Sequence, residues 1–348
     1  MTKKINLALQ GGGAHGAFTW GVLDRLLEDD EVEIAGISGT SAGAINGVVM
    51  AEGLMEGGRN RARTQLEEFW YEISVAGLSS PIQRSVFDKL RGDFSLDNSP
   101  SYIWFDILSR VMSPYQLNPQ NTNLLRDVLL RFVDFELVRK CDQLKLFINT
   151  TRVTTGTLRV FREYEVTPEI VLASACIPYL FQTVMIDGEG YWDGGFIANP
   201  ALEPLLSDTE TRDILIVQIN PLFRDGVPTD ARDILNRLNE VSFNSSLLKE
   251  LRLISKLNDL VDAGELEADK HPKARLHMIH GEHRLLPFEA SSKLNPEWPF
   301  LSTLRDVGRA AADNWLSKHK ASLGVSSTID YRQLVEGIER EAAAAAHA

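Results

Sequence analysis

Ser41 sits in the pentapeptide Gly39-Thr40-Ser41-Ala42-Gly43, which satisfies the pattern Gly-x-Ser-x-Gly. The flanking glycines permit a sharp strand-to-helix turn that lifts a serine hydroxyl clear of a sheet, where it can attack a carbonyl carbon. The chemistry would be acyl transfer through a covalent ester on the serine. The same serine could equally be a helix N-cap, a role serines fill readily. A second cluster, Gly11-Gly12-Gly13-Ala14-His15-Gly16, comes earlier in the chain. Consecutive backbone N–H groups at a helix N-terminus, reinforced by the helix dipole, can receive the oxyanion of a tetrahedral intermediate. The bland alternative is a tight turn and nothing more.

If Ser41 is a nucleophile, something must take its proton, and no histidine lies near it in sequence. His271, His277, His280 and His283 occur late in the chain and leave open a triad closed by one of them. Their alternative is a strand end carrying surface histidines. Asp193, in "YWDGG", follows two aromatics at a strand end and precedes Gly194 and Gly195, which suits a carboxylate turned into a site. A plain Asp-Gly turn is the competing reading, and Asp187-Gly188 in the same hairpin is read that way. An aspartate of pKa about 3.9 is a weak base for serine, so the site must desolvate it, with Tyr191, Trp192 and Phe196 as the nearby candidates.

These residues need elements to hold them. "KINLAL" reads as a buried strand, and Phe18, Val22, Leu23 and Leu26 after the glycines have helical spacing. "VEIAGIS" is a second strand, followed by the serine turn and a small-residue helix that ends in glycines. This βαβα opening implies a parallel sheet with its site at the carboxyl ends of the strands. Residues 59–135 read as a helical, loop-rich insertion able to cap a pocket, its aromatic segment 98–117 either lining an apolar pocket or packing on the core. Strands are expected at "LKLFINTTRV", "TLRVFREYEV", "DILIVQINP" and "ARLHMIHG", with a Thr167-capped helix at "TPEIVLASACIP". Residues 230–265 read as an amphipathic helix, "FLSTLRDVGRAAADNWLSKH" as a closing helix, and residues 326–348 as a helix or tail, partly disordered.

The glycine cluster also satisfies Gly-x-Gly-x-x-Gly, but the second strand ends in Ile37, Ser38 and Gly39, without the acidic residue a dinucleotide ribose requires. A phosphate loop would need Lys-Ser or Lys-Thr after the glycines, and neither follows. The 348 residues carry a net charge of −12, which argues against nucleic acid as a partner and against constitutive docking on an anionic membrane. Two cysteines, Cys141 and Cys176, suggest neither a disulfide framework nor a zinc site, so a reducing cytoplasm is expected.

Together, "GGGAHG", "GTSAG", "ASACIP" ending in Pro178, and "DGG" at Asp193 occur in an order that resembles the patatin-like phospholipases. That family includes the catalytic-domain type of cytosolic phospholipase A2, and the resemblance spans residues 4–220. It implies an α/β three-layer sandwich, a mostly parallel sheet flanked by helices, over residues 1–220, with residues 221–325 completing the same domain. It also implies a Ser41-Asp193 dyad in place of a triad and an oxyanion hole from Gly11, Gly12 and Gly13. His15 and Gly16 would support that loop, Gly39 and Gly43 form the elbow, and Pro178, Gly194 and Gly195 shape the site. One position departs from the pattern: His15 stands where the family carries Arg or Lys, so it is either a titrating substitute for that cation or a helix-surface residue. The implied activity is hydrolysis of fatty-acyl esters of phospholipids or related lipids, without metal or cofactor and with transient contact with a membrane surface. The alternatives are an intracellular polyester or acyl thioester as substrate for the same dyad, or a non-catalytic lipid-binding protein.

Overall fold

The computed structural model of the chain describes residues 2–288 and 290–345. The first elements are β1 (Lys3–Leu9), α1 (Gly16–Leu27), β2 (Val32–Gly39) and α2 (Ala42–Gly77). Five short helices follow: α3 (Val86–Arg91), α4 (Pro100–Val111), α5 (Pro114–Leu117), α6 (Leu124–Phe132) and α7 (Phe135–Arg139). The chain then returns to the sheet through β3 (Lys145–Arg152), β4 (Leu158–Arg162), α8 (Pro168–Ser174), β5 (Val184–Ile186) and β6 (Glu189–Asp193). The remainder is α9 (Glu203–Ser207), β7 (Asp213–Gln218), α10 (Ala231–Asp262), β8 (Arg275–His280), α11 (Glu282–Leu285), α12 (Trp298–His319) and α13 (Tyr331–Ala345). The last three residues of the alanine-rich tail lie outside the described residues.

The strands form one sheet in the order β5-β6-β3-β2-β1-β7-β8, with β4 also paired to β3. β3, β2, β1, β7 and β8 run parallel, so their carboxyl ends share one edge, while β4, β5 and β6 add antiparallel pairs at the other side. A parallel strand covered on both faces reads as a continuous apolar run, as in "DILIVQ". Its alternate residues enter different cores. Leu215 and Val217 join Leu7, Leu9, Phe18 and Leu301 on one face, whereas Ile214 and Ile216 join Leu247, Leu251 and Met278 on the other. Helices α1, α2 and α12 cover the first face and α10 the second, which makes three layers.

α2 departs from the expectation that its glycines end it. Gly57 and Gly58 leave helical geometry, with φ +73° at Gly58, but they kink the helix and it resumes as far as Gly77. Ala62, Leu66, Phe69 and Trp70 of the second segment are buried in the first-face core, and that burial carries the chain past the break.

Candidate active site

Ser41 occupies the two-residue turn between β2 and α2 with φ 54° and ψ −122°, a conformation an L-residue adopts only when its surroundings impose it. Its N–H donates to Ser174 Oγ at 2.9 Å, and that hydroxyl donates to the Asn149 carbonyl at 2.7 Å. Thr40 Oγ1 donates to the Ala198 carbonyl at 2.8 Å, and Asn149 Nδ2 to the Gly39 carbonyl at 2.9 Å. The helix behind the turn presses close on β1: a Cβ at Gly43 would fall 2.2 Å from the Leu9 carbonyl oxygen, which only glycine avoids. Although Ser41 stands at the N-cap position of α2, its side chain caps nothing. The hydroxyl is left for another partner.

That partner is Asp193, the last residue of β6, opposite Thr150 of β3. Asp187 and Gly188, both with positive φ, make the hairpin turn that returns the chain along β6. The Asp193 N–H donates to the Cys176 carbonyl and its own carbonyl accepts from Thr151 Oγ1, each at 2.8 Å. Burial pushes the carboxyl up to about 7, against hydrogen bonds from the Gly195 N–H and the Ser41 hydroxyl that pull the other way. The groups that desolvate it differ from those the sequence suggests. Tyr191 donates to Glu189, Trp192 to Thr183 Oγ1, and neither lines the cavity around the carboxyl; Tyr179 and Phe243 do, and Phe196 stacks edge-on against Phe243.

The glycine loop lies beside this pair. The Gly11 N–H is taken by Asn199 Oδ1 at 2.7 Å, so the expected set of three donors is reduced. The N–H groups of Gly12 and Gly13 have no acceptor among the described residues, and both glycines line the same cavity as Ser41 and Asp193. Gly13 has φ +58°, and a Cβ there would fall 2.4 Å from the Lys293 carbonyl oxygen. Gly16 opens α1 against Ala42, and Gly194 and Gly195 begin the turn after Asp193. Pro178 lies between Ile177 and Tyr179, which line the cavity while it does not.

His15 fits neither expectation. It is buried, bonded to Ser292 Oγ at 2.7 Å and packed edge-on against Phe288 and Phe300. Burial, with Lys293 and Arg224 nearby, holds it well below the usual imidazole range, so it is a neutral core residue. Two cations line the cavity: Arg110, paired with Asp106 on the same helix, and Lys293, far away in sequence.

Of the late histidines, His271, His277 and His280 do not line the cavity that holds Ser41. His277 is fully buried with Nε2 3.0 Å from Asp213 Oδ1, at the amino-terminal end of β7 and therefore at the edge away from the serine turn. His271 and His280 are exposed, and the side chain of His283 lies outside the described residues. Among the described residues no cluster of His, Cys, Asp or Glu is arranged to hold a metal ion.

The cavity has a volume of about 400 Å³. Ser41, Asp193, Gly12 and Gly13 share it with Tyr102 and Phe105 of α4, Leu180, Leu235 and Phe243. A hydroxyl against a carboxylate that titrates near neutrality, beside two unengaged N–H groups and an apolar chamber, is equipped for acyl transfer from a hydrophobic ester.

Comparison with known proteins bears on the same residues. The family model described as Patatin-like phospholipase matches residues 7–206, more than half of the chain. The chain belongs to the patatin-like phospholipase family. That membership supports lipid acyl hydrolysis as the general activity and a lipid as the class of substrate. No curated protein matches. Among solved structures, the crystal structure of VipD from Legionella pneumophila aligns with 92% of this chain and 67% of its own, at 15% identity and a TM-score of 0.46. The family match ends before Asn220, Phe243 and Lys293, all of which border the cavity or its glycine loop. No local pattern marks these three, or Asn199 and Ser174, because each acts through contacts between distant segments.

Proposed function

We propose that the protein is a serine hydrolase that cleaves fatty-acyl ester bonds of phospholipids or related lipids through Ser41 and Asp193. The observation that carries this reading is an uncapping Ser41 hydroxyl facing a buried Asp193 carboxyl at the floor of an apolar cavity. In the forward step Asp193 takes the Ser41 proton as Oγ bonds to the ester carbonyl carbon, and the oxyanion is received by the N–H groups of Gly12 and Gly13. Collapse breaks the ester C–O bond, and Asp193 returns the proton to the departing alcohol. Water then attacks the acyl-enzyme by the same route, releasing the fatty acid and restoring Ser41. One such oxyanion donor is worth about 3 to 4 kcal/mol, which offsets part of the handicap of a carboxylate base.

A lipid surface is the proposed source of substrate. Along α4, Tyr102, Phe105, Asp106 and Ser109 line the cavity, while Trp104, Ile107, Leu108 and Val111 are exposed. Among the described residues no helix is long and apolar enough to cross a membrane.

The test is a panel of phospholipids, lysophospholipids, acylglycerols, acyl thioesters and short polyesters, run beside Ser41→Ala, with fluorophosphonate labelling of both proteins. Lipid-ester turnover and labelling that both vanish in Ser41→Ala support the reading. Turnover confined to thioesters or polyesters would move the substrate class, and an unlabelled, inactive parent protein would leave a lipid-binding role.

A further inference from the structure

We propose that Asn220 is a positioning residue that aims the Gly12 N–H at the oxyanion, an inference that rests on the serine-hydrolase reading above. Asn220 follows β7, and its Nδ2 donates to the Gly11 carbonyl at 2.7 Å. The Gly11 carbonyl and the Gly12 N–H belong to one peptide unit, which is planar and trans, so they point in opposite directions. A donor that fixes the carbonyl outside the cavity therefore fixes the N–H toward it. The next peptide unit is set in the same manner, since the Gly12 carbonyl accepts the His15 N–H at 3.2 Å and the Gly13 N–H is turned away from that bond. The preceding one is not available, because the Gly11 N–H is held by Asn199. Two of the three glycine donors are thus aimed by the partner of the carbonyl in the same peptide unit, that of the preceding residue.

Asn220 is itself held on every side. Its Oδ1 accepts from Lys293 Nζ at 2.8 Å, its N–H donates to Gln10 Oε1 at 3.0 Å, and its carbonyl accepts from Gln218 Nε2 at 3.0 Å. Gln10 Nε2 continues the network to Asn244 Oδ1 on α10 at 3.1 Å. An ammonium group can only donate and a carbonyl can only accept, so Lys293 and Gly11 together leave one orientation for the Asn220 amide. Lys293 forms no ion pair with a described carboxylate; its ammonium is committed to this amide instead.

Asn220→Asp separates orientation from packing. The carboxylate keeps the shape and the Lys293 contact but has no proton to give the Gly11 carbonyl, so that peptide is free to rotate. The expected result is a loss of about tenfold to a hundredfold in kcat on a soluble short-chain ester, with KM within about twofold and the midpoint of the acid limb, set by Asp193, unchanged. The rate of fluorophosphonate labelling falls in parallel, because the phosphoryl oxygen occupies the same donors. Lys293→Met, which releases the amide while leaving it a donor, shows a smaller loss in the same direction and serves if Asn220→Asp does not fold. Parent-like kcat and labelling in both variants, or losses confined to KM, overturn the proposal while leaving the hydrolase reading intact. A parent protein that neither turns over esters nor labels overturns both.

Discussion

The Gly195 N–H donates to Asp193 Oδ1 at 2.7 Å, a bond that favours the ionised carboxylate, yet the carboxyl stays pushed up to about 7. Burial prevails over two hydrogen bonds. The proposed base is therefore matched to neutral pH by what surrounds it, since a carboxylate that titrates near the working pH is both largely ionised and basic enough to accept a proton.

The first prediction follows from that match. Asp193 acts only when deprotonated, so kcat/KM falls on the acid side with a midpoint near 7, about tenfold for each pH unit below it. Phe243 covers Gly195 and lines the cavity, and Phe243→Ala admits water, favours the ionised form and moves the midpoint to lower pH. His15, held neutral beside Lys293, Arg224 and Ser292, contributes no limb near neutrality, and His15→Gln leaves the midpoint in place. A pH–rate profile on a soluble ester reads all three; a parent midpoint in the ordinary carboxylate range would falsify the buried-base account.

The same burial has a cost in stability, which gives the second prediction. In the unfolded chain Asp193 loses its proton near 3.8, whereas in the folded protein it holds the proton until about 7. Between these values the native state binds more protons, so this group's contribution falls as pH rises. The full penalty, at most roughly 4 kcal/mol, is reached above about pH 7. Asp193→Asn removes it, and its amide oxygen can still accept from Gly195. The variant melts several degrees above the parent at pH 8, and the difference shrinks toward zero near pH 4. Equal destabilisation at both pH values would mean that the native carboxylate is not strained.

Much of this site is legible in the sequence because backbone geometry demands glycine at fixed offsets. Gly43 is required by the approach of α2 to Leu9, and Gly13 by its positive φ under Lys293, so the serine turn and the loop announce themselves locally. Asp193 is readable for a related reason, since Gly194 and Gly195 must follow it to turn the chain. The βαβα opening is equally plain, because β1 and β2 are buried on both faces and α1 carries its apolar residues at helical spacing. His15 misleads because a polar residue at a helix start looks exposed until Phe288, Ser292 and Phe300 of α12 cover it. Ser174 stands inside a segment that draws the eye to Pro178, but its task, bridging the Asn149 carbonyl to the Ser41 N–H, exists only once α8, β3 and the serine turn meet. Asn199 and Asn220 are invisible for the same reason.

The third prediction concerns α4, whose two stripes have the same spacing and opposite directions. Tyr102, Phe105, Asp106 and Ser109 face the cavity, and Trp104, Ile107, Leu108 and Val111 lie two residues further on, about 200° round the helix. The outer four are 66%, 49%, 37% and 76% exposed, a reversal of the usual apolar-inward helix. Exposed apolar surface of this kind gains free energy on entering a bilayer interface, and here the inner face of the same helix is a wall of the acyl-sized cavity. With the net charge at −12, docking would rest on apolar insertion more than on attraction to anionic lipid. Trp104→Asp combined with Val111→Asp touches no cavity-lining residue. It lowers turnover of phosphatidylcholine vesicles by about tenfold or more, the loss expected when two inserting side chains become charged, and leaves kcat/KM on a soluble short-chain ester near the parent value. Flotation of the Ser41→Ala protein with diether phosphatidylcholine vesicles, with and without the two α4 changes, separates binding from catalysis. Undiminished flotation of the substituted protein would remove α4 as the docking face, and a concentration-dependent dimer that the substitutions abolish would assign the stripe to a second copy of the chain instead.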